Sequence, residues 1–192
     1  MKNLEKKRQN VIIKRLVLDA VMIAMFLVLS LTVTIRAGAL KITFASLPVI
    51  ICATVFGPVD AFLVGTLGAL LEQMLTYGFT PTTILWILPA GVRGLFVGLC
   101  IKLIRKWISP DAPMKGKGTA AFFAVCIISA VIVSCMNTFT LYVDSNMYGY
   151  YTYALVFGAF VARVISGVIS SSLMAAATLP VTAALKRAKI IS

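Results

Sequence analysis

The feature that most constrains this chain is a series of long apolar runs with very few charged residues. Cutting the sequence at charges, prolines and glycines leaves runs at about 16–35, 44–57, 59–77, 82–104, 119–142 and 153–185. A helix needs about 20 apolar residues to cross a bilayer. Hydrophobic residues make up 60% of the chain and charged residues only 12%, so much of the apolar surface must face lipid. The sequence predicts an all-α membrane protein, a bundle of about six transmembrane helices forming one membrane domain over residues 1–192.

Two of these runs have unusual lengths. The run at 44–57 is short for a crossing, and Phe56-Gly57-Pro58 separates it from the next run, so the two can form a tight helical hairpin or a re-entrant pair. The run at 153–185 is long enough that it must tilt, begin in a loop or continue beyond the bilayer, and Pro180 is expected to bend or end it.

The distribution of lysine and arginine predicts the orientation. Basic residues precede the first run, lie between the fourth and fifth, and follow the last, whereas the alternate loops hold only Arg36 and Lys41. Because basic residues in short loops stay on the cytoplasmic side, we expect both termini in the cytoplasm and the loops at 36–43, 77–82 and 142–153 outside. The net charge of +12 therefore indicates membrane topology rather than nucleic-acid binding.

Charged side chains at membrane depth are candidates for function because they are costly there. Glu72, Arg93 and Arg163 lie well inside apolar runs, and their small-residue neighbours at helical spacing place all three toward the bundle interior. One negative and two positive charges suit an anionic group on a ligand, which arginine can bind through two parallel hydrogen bonds. The alternative is that Glu72 only forms a fixed bridge with one arginine.

Polar and aromatic residues near the predicted outer ends add to this candidate site. Asn137 offers hydrogen bonds, and Trp86, Tyr77 and the tyrosines at 148–153 can stack on a ring. These tyrosines are equally explained as an aromatic belt at the membrane surface.

Other chemistry is poorly supported. The four cysteines show no metal-binding spacing and the chain contains no histidine, so no metal, cofactor or catalytic group is expected. Clustered carboxylates and a nucleophile with its base are also missing, which disfavours a membrane enzyme. A self-contained secondary carrier stays an alternative, although the repeated halves typical of such carriers are not evident in the sequence.

Three segments carry a resemblance to a known family: Lys41–Ile50 (KITFASLPVI), Val55–Ala69 (VFGPVDAFLVGTLGA) and Tyr77–Gly98 (YGFTPTTILWILPAGVRGLFVG). Over about residues 15–105 the chain resembles the substrate-binding S component of energy-coupling factor (ECF) transporters, and the folate branch is the most similar.

The resemblance implies a multi-pass subunit of the bacterial cell membrane that binds a vitamin from outside. It implies partnership with a transmembrane coupling protein and two cytoplasmic ATPase subunits, since this sequence carries no P-loop. Ala20 and Ala24 match the family's docking motif on the first helix. The loop at about 36–46, which contains Lys41, matches the segment that closes over the ligand. An anionic vitamin such as folate is the expected substrate, with pantothenate or another vitamin as the alternative.

Overall fold

The computed structural model describes residues 2–37, 40–108 and 116–187. Six α-helices, two short strands and one π-helix follow one another along the described chain. They are α1 (Lys2–Thr32), β1 (Thr34–Ala37), β2 (Leu40–Thr43), α2 (Leu47–Val55), α3 (Pro58–Thr76), α4 (Thr83–Trp107), α5 (Lys117–Met147), the π-helix (Ala154–Gly158) and α6 (Phe160–Arg187).

The break between α2 and α3 has a simple backbone cause. Gly57 has a φ of 110°, which a residue with a side chain rarely adopts, and Pro58 then opens α3 with its φ already fixed. The sequence Phe56-Gly57-Pro58 therefore ends one helix and begins the next, as predicted.

Four helical segments are long and apolar enough to cross a membrane. They are Pro58–Thr76, Thr83–Trp107, Lys117–Met147 and Ala154–Leu185, which correspond to the last four predicted spans. The 31-residue α1 covers the first predicted span, and its crossing remains a prediction. The helix within 44–57 has only nine residues and is about 13.5 Å long, so it cannot cross the bilayer alone.

The all-α prediction was incomplete, because β1 and β2 form an antiparallel hairpin between α1 and α2. Thr34 pairs with Thr43 and Ile35 with Ile42. These β-branched residues favour extended backbone. The hairpin occupies the loop predicted to close over the ligand.

The last predicted run also differs in detail. It begins as a π-helix and continues as α6, and Pro180 lies inside α6 rather than ending it. Pro180 was predicted to bend or end this helix; it does not end it, and a bend at Pro180 stays a prediction.

The short helix α2 lies at the centre of the core. Val49, Ile50 and Cys52 have no exposed surface, and α2 packs against α1, α3, α4 and α6. Glycines bring α3 and α4 into backbone contact: a Cβ at Gly65 would lie 2.5 Å from the Ala90 oxygen, and one at Gly98 would lie 2.5 Å from the Pro58 Cα. This close packing positions the α3 and α4 side chains that face the cavity described next.

Candidate ligand-binding cavity

A cavity of about 730 Å³ lies among α3, α4, α5 and α6. Phe26 of α1 and Thr43 at the end of the hairpin also contribute to its wall. The cavity brings together six of the seven predicted substrate-binding residues: Glu72, Tyr77, Trp86, Arg93, Asn137 and Arg163. These residues come from four helices and one helix end, so the tertiary fold, and not the local sequence, brings them together.

The seventh predicted residue, Lys41, lies in β2, but its side chain is outside the described residues. Neighbouring positions do reach the cavity. Thr43, Ala45 and Ser46 line it, so the segment that joins the hairpin to α2 forms part of the wall.

Arg93 is a deeply buried cation with unused hydrogen-bonding capacity. Its side chain extends from α4 and only 6% of the residue is exposed. The Nε atom has no hydrogen-bond partner, and no carboxylate within the described ranges forms an ion pair with the guanidinium. Leaving a buried charge uncompensated is costly, so this group is available to a ligand in the cavity.

Arg163 is held very differently. Its Nη2 donates to the carbonyl oxygens of Leu155, at 2.9 Å, and Val156, and its Nε donates to the Ala159 oxygen at 3.4 Å. These carbonyls belong to the π-helix and its junction with α6, where the wider turn changes the regular hydrogen-bond pattern. Nη1 also contacts the Thr138 hydroxyl at 3.4 Å. Arg163 is therefore largely engaged in fixing the start of α6.

Glu72 lies partly buried on the cavity wall, on the face of α3 that carries Gly68 and Ala69. Arg163 donates to the Thr138 hydroxyl and to backbone carbonyls, and the fixed bridge between Glu72 and one arginine stays a prediction.

Asp144 is a cavity residue that the sequence analysis missed. It lies in the last turn of α5, and its Oδ1 accepts hydrogen bonds from the Thr82 hydroxyl at 2.5 Å and from Trp86 Nε1 at 3.4 Å. The Tyr150 hydroxyl donates to Oδ2. Asp144 lies just beyond the predicted run at 119–142, so it does not stand out as a charge inside an apolar run. The available signal was an acidic residue near several tyrosines, in the predicted loop at 142–153, which contains no basic residue.

Asp144 changes the charge balance of the cavity. Two carboxylates, Glu72 and Asp144, face two guanidinium groups, Arg93 and Arg163. Among the described cavity residues the formal charges of these four groups cancel. The side chain of Lys41 lies outside the described residues, so the predicted cationic surplus stays a prediction.

The tyrosine cluster divides between the two explanations considered for it. Tyr148 and Tyr150 line the cavity. Burial and the neighbouring Asp144 carboxylate raise the pKa of Tyr150 to about 12. Tyr153 instead packs on Phe157, with 5.5 Å between ring centroids, and remains largely exposed.

Ala20 and Ala24, the predicted docking residues, both lie on the exposed face of α1. Met22 and Phe26 occupy the buried face of the same helix. Docking through this exposed face stays a prediction.

Comparisons with known proteins agree with this architecture. A solved structure described as "Structure and mechanism of the S component of a bacterial ECF transporter" matches with a TM-score of 0.60 and 20% sequence identity. The match covers 90% of this chain and 98% of that one, and at this identity it shows a shared fold. Residues 10–110, just over half of the chain, match the family described as "ECF-type riboflavin transporter, S component". The predicted S component is thereby confirmed and the folate branch is not, and this chain belongs to the ECF-type riboflavin transporter S component family.

Proposed function

We propose that this protein captures riboflavin in the cavity between α3 and α6 and delivers it to an ECF transporter as its vitamin-binding subunit. The family match over residues 10–110 is the observation that carries the proposal. S components are substrate-binding transport subunits and not enzymes, so the cavity is a capture site without bond-breaking chemistry.

The size and aromatic lining of the cavity support a ring-containing vitamin. A volume of about 730 Å³ falls within the range of about 300–1,000 Å³ that is usual for small-molecule sites. Trp86, Tyr77 and Tyr148 provide aromatic surface on which a flavin ring can stack.

The charge balance of the described cavity residues favours an uncharged vitamin over an anionic one. Riboflavin carries ring carbonyls and sugar-alcohol hydroxyls but no ionised group near neutral pH. Arg93 can donate hydrogen bonds to ring acceptors, while Asn137 and Glu72 can accept from N–H and O–H groups. A negative charge on the ligand is not required to neutralise the described part of the wall.

Folate is the second candidate, with pantothenate as a smaller anionic alternative. The guanidinium of Arg93 is buried and its Nε has no hydrogen-bond partner. This favours folate, because a carboxylate of the ligand would form a charge-assisted hydrogen bond with the guanidinium. Against folate, its carboxylates would add negative charge to a cavity wall that already carries Glu72 and Asp144.

The proposed partners are a transmembrane coupling protein and two cytoplasmic ATPase subunits. The exposed face of α1 with Ala20 and Ala24 is the proposed docking surface, because two small residues four positions apart allow close approach of another helix. Uptake into vesicles containing this protein alone would contradict this partnership and favour a self-contained carrier.

Ligand identification tests the proposed substrate directly. The purified protein is expected to release riboflavin when denatured, detected by mass spectrometry and by flavin absorbance. In calorimetric titrations it should bind riboflavin and neither folate nor pantothenate at the same concentrations. Binding of folate without riboflavin would replace the first candidate with the second, and failure to bind any vitamin in the panel would overturn both.

A further inference from the structure

At one end of the cavity, three side chains from two chain segments meet at a single carboxylate. Thr82 precedes α4, Trp86 lies in its first turn, and Tyr150 follows α5. All three donate hydrogen bonds to Asp144, and both Trp86 and Tyr150 also line the cavity. The orientation of these two rings is therefore linked through Asp144.

Asp144 does not stabilise α5 by its position in the helix. A carboxylate in the last turn of a helix lies near the negative end of the helix dipole, which is unfavourable. The last turn of α5 contains no basic residue that would compensate. The compensation comes instead from the three hydrogen-bond donors contributed by other segments.

The Tyr150 hydroxyl is suited to remain a donor. Its pKa is raised to about 12, so the phenol stays protonated throughout the physiological range. Trp86 has no other polar group than its Nε1–H, whose contact in this cluster is Asp144 Oδ1 at 3.4 Å.

We propose that Asp144 is a positioning residue for ligand capture, which holds the Trp86 indole and the Tyr150 ring on the cavity wall before the vitamin arrives. This proposal rests on the proposed vitamin-binding function and adds a residue that acts through its neighbours. Fixing two rings in advance removes part of the ordering cost that ligand binding would otherwise carry.

The spectroscopic test measures the fluorescence of Trp86, which is possible because the chain has few tryptophans. The chain has two, Trp86 and Trp107, and Trp107 is 76% exposed at the far end of α4. A Trp107→Phe background leaves Trp86 as the only indole. In that background, Asp144→Asn is expected to shift the Trp86 emission maximum and to increase its quenching by acrylamide in the absence of ligand. Asn146→Ala is the matched control, because Asn146 lies in the same helix turn, is exposed and donates its side-chain hydrogen bond to the Tyr142 carbonyl.

The affinity test uses riboflavin titrations of the same variants. Asp144→Asn should weaken binding about tenfold, the weakening expected when one charge-assisted hydrogen bond is lost. Tyr150→Phe, a milder change that removes only one donor, should weaken it less. If Asp144 acts through Tyr150, the double variant should bind about as well as Asp144→Asn alone. Thermal melting of each variant checks that it is folded.

Two results would overturn the proposal. The first is an unchanged Trp86 emission in folded Asp144→Asn, whatever happens to affinity. The second is full additivity of the Asp144 and Tyr150 substitutions, which would mean that Asp144 does not act through Tyr150. If the parent protein binds no riboflavin, the proposed function fails, while the ligand-free emission measurement still decides whether Asp144 positions Trp86.

Discussion

Arg93 and Arg163 line the same cavity but differ in what their guanidinium groups contact. Arg163 donates to backbone carbonyls at the start of α6, whereas Arg93 is buried with an unpartnered Nε. Removal of one partner from a satisfied buried pair is destabilising, but removal of an unpaired buried charge relieves a cost. The same substitution should therefore have opposite effects on stability at the two positions.

Arg93→Met is expected to weaken vitamin binding by about tenfold or more without lowering the melting temperature. Methionine fills similar space, and the buried charge that it replaces has no carboxylate partner among the described residues. Calorimetry of the vitamin complex and thermal melting of the ligand-free protein measure the two effects. Lys102→Met is the control on the exposed surface of α4 and should leave affinity unchanged. A melting temperature several degrees lower in Arg93→Met would show that Arg93 is structural.

The Tyr150 hydroxyl should ionise at a higher pH than an ordinary tyrosine side chain. Its raised pKa of about 12 means that the folded state favours the neutral phenol. The resulting stabilisation is fully present below the ordinary tyrosine pKa of about 10 and is lost as the pH rises through about 12. The phenolate absorbance difference between the parent protein and Tyr150→Phe measures this titration. Asp144→Asn should move the transition back toward the ordinary value, and a Tyr150 transition near 10 in the parent would contradict the hydrogen bond.

At the level of elements, α3 and α4 depend on glycines for their contact. Gly94→Ala would place a Cβ against the backbone carbonyl of Ala61, which cannot move aside as a flexible side chain can. We expect a loss of about 1–3 kcal/mol, measured as a lower melting temperature. Gly158→Ala is the matched control, because its added Cβ would meet only the Ala154 Cβ at 3.8 Å. Equal melting temperatures for the two variants would show that α3 and α4 are packed less closely.

The start of α6 depends on the hydrogen bonds of Arg163, as the contact between α3 and α4 depends on glycines. Arg163→Met should lower stability by about 1–3 kcal/mol, because the carbonyls of Leu155 and Val156 lose their donor. The melting temperature of Arg163→Met is compared with that of Arg93→Met. Backbone amides over residues 154–163 should also exchange their hydrogens faster in Arg163→Met than in the parent protein. A variant as stable as the parent would mean that the π-helix forms without this arginine.

The sequence predicted the regular helices well and the irregular ones poorly. The predicted run at 59–77 corresponds to Pro58–Thr76, because a proline and a change in apolarity mark its ends. The hairpin and the π-helix were not predicted. Hydropathy does not reveal the hairpin, because its strands are only four residues long. It does not reveal the π-helix either, because a π-turn has the composition of an α-helix.

The candidate site shows the same division at the scale of the whole molecule. Glu72 and Arg93 were found because charge inside an apolar run must face the bundle interior, and the structure places both on one cavity. Asp144 was missed because its partners Thr82 and Tyr150 come from other parts of the chain, and such long-range pairing is not visible in periodicity.

The short α2 decides how the whole chain crosses the membrane. If α1, α3, α4, α5 and α6 each cross and α2 does not, the termini lie on opposite sides, which conflicts with the basic residues near both ends. The conflict disappears if β2 and α2 cross together. A four-residue strand of about 13 Å and a nine-residue helix of about 13.5 Å together approach the hydrocarbon thickness of about 30 Å.

This combined crossing predicts a labelling pattern in intact cells. In a background without the native cysteines, Tyr153→Cys should react with a membrane-impermeant maleimide from outside. Gln9→Cys and Arg187→Cys should react only after the membrane is permeabilised, since both ends are expected in the cytoplasm. Gln9 and Arg187 are exposed in the structure, so protection in intact cells would reflect the membrane rather than burial in the protein. Labelling of one end from outside and the other from inside would instead mean an odd number of crossings, with α2 packed as a re-entrant helix.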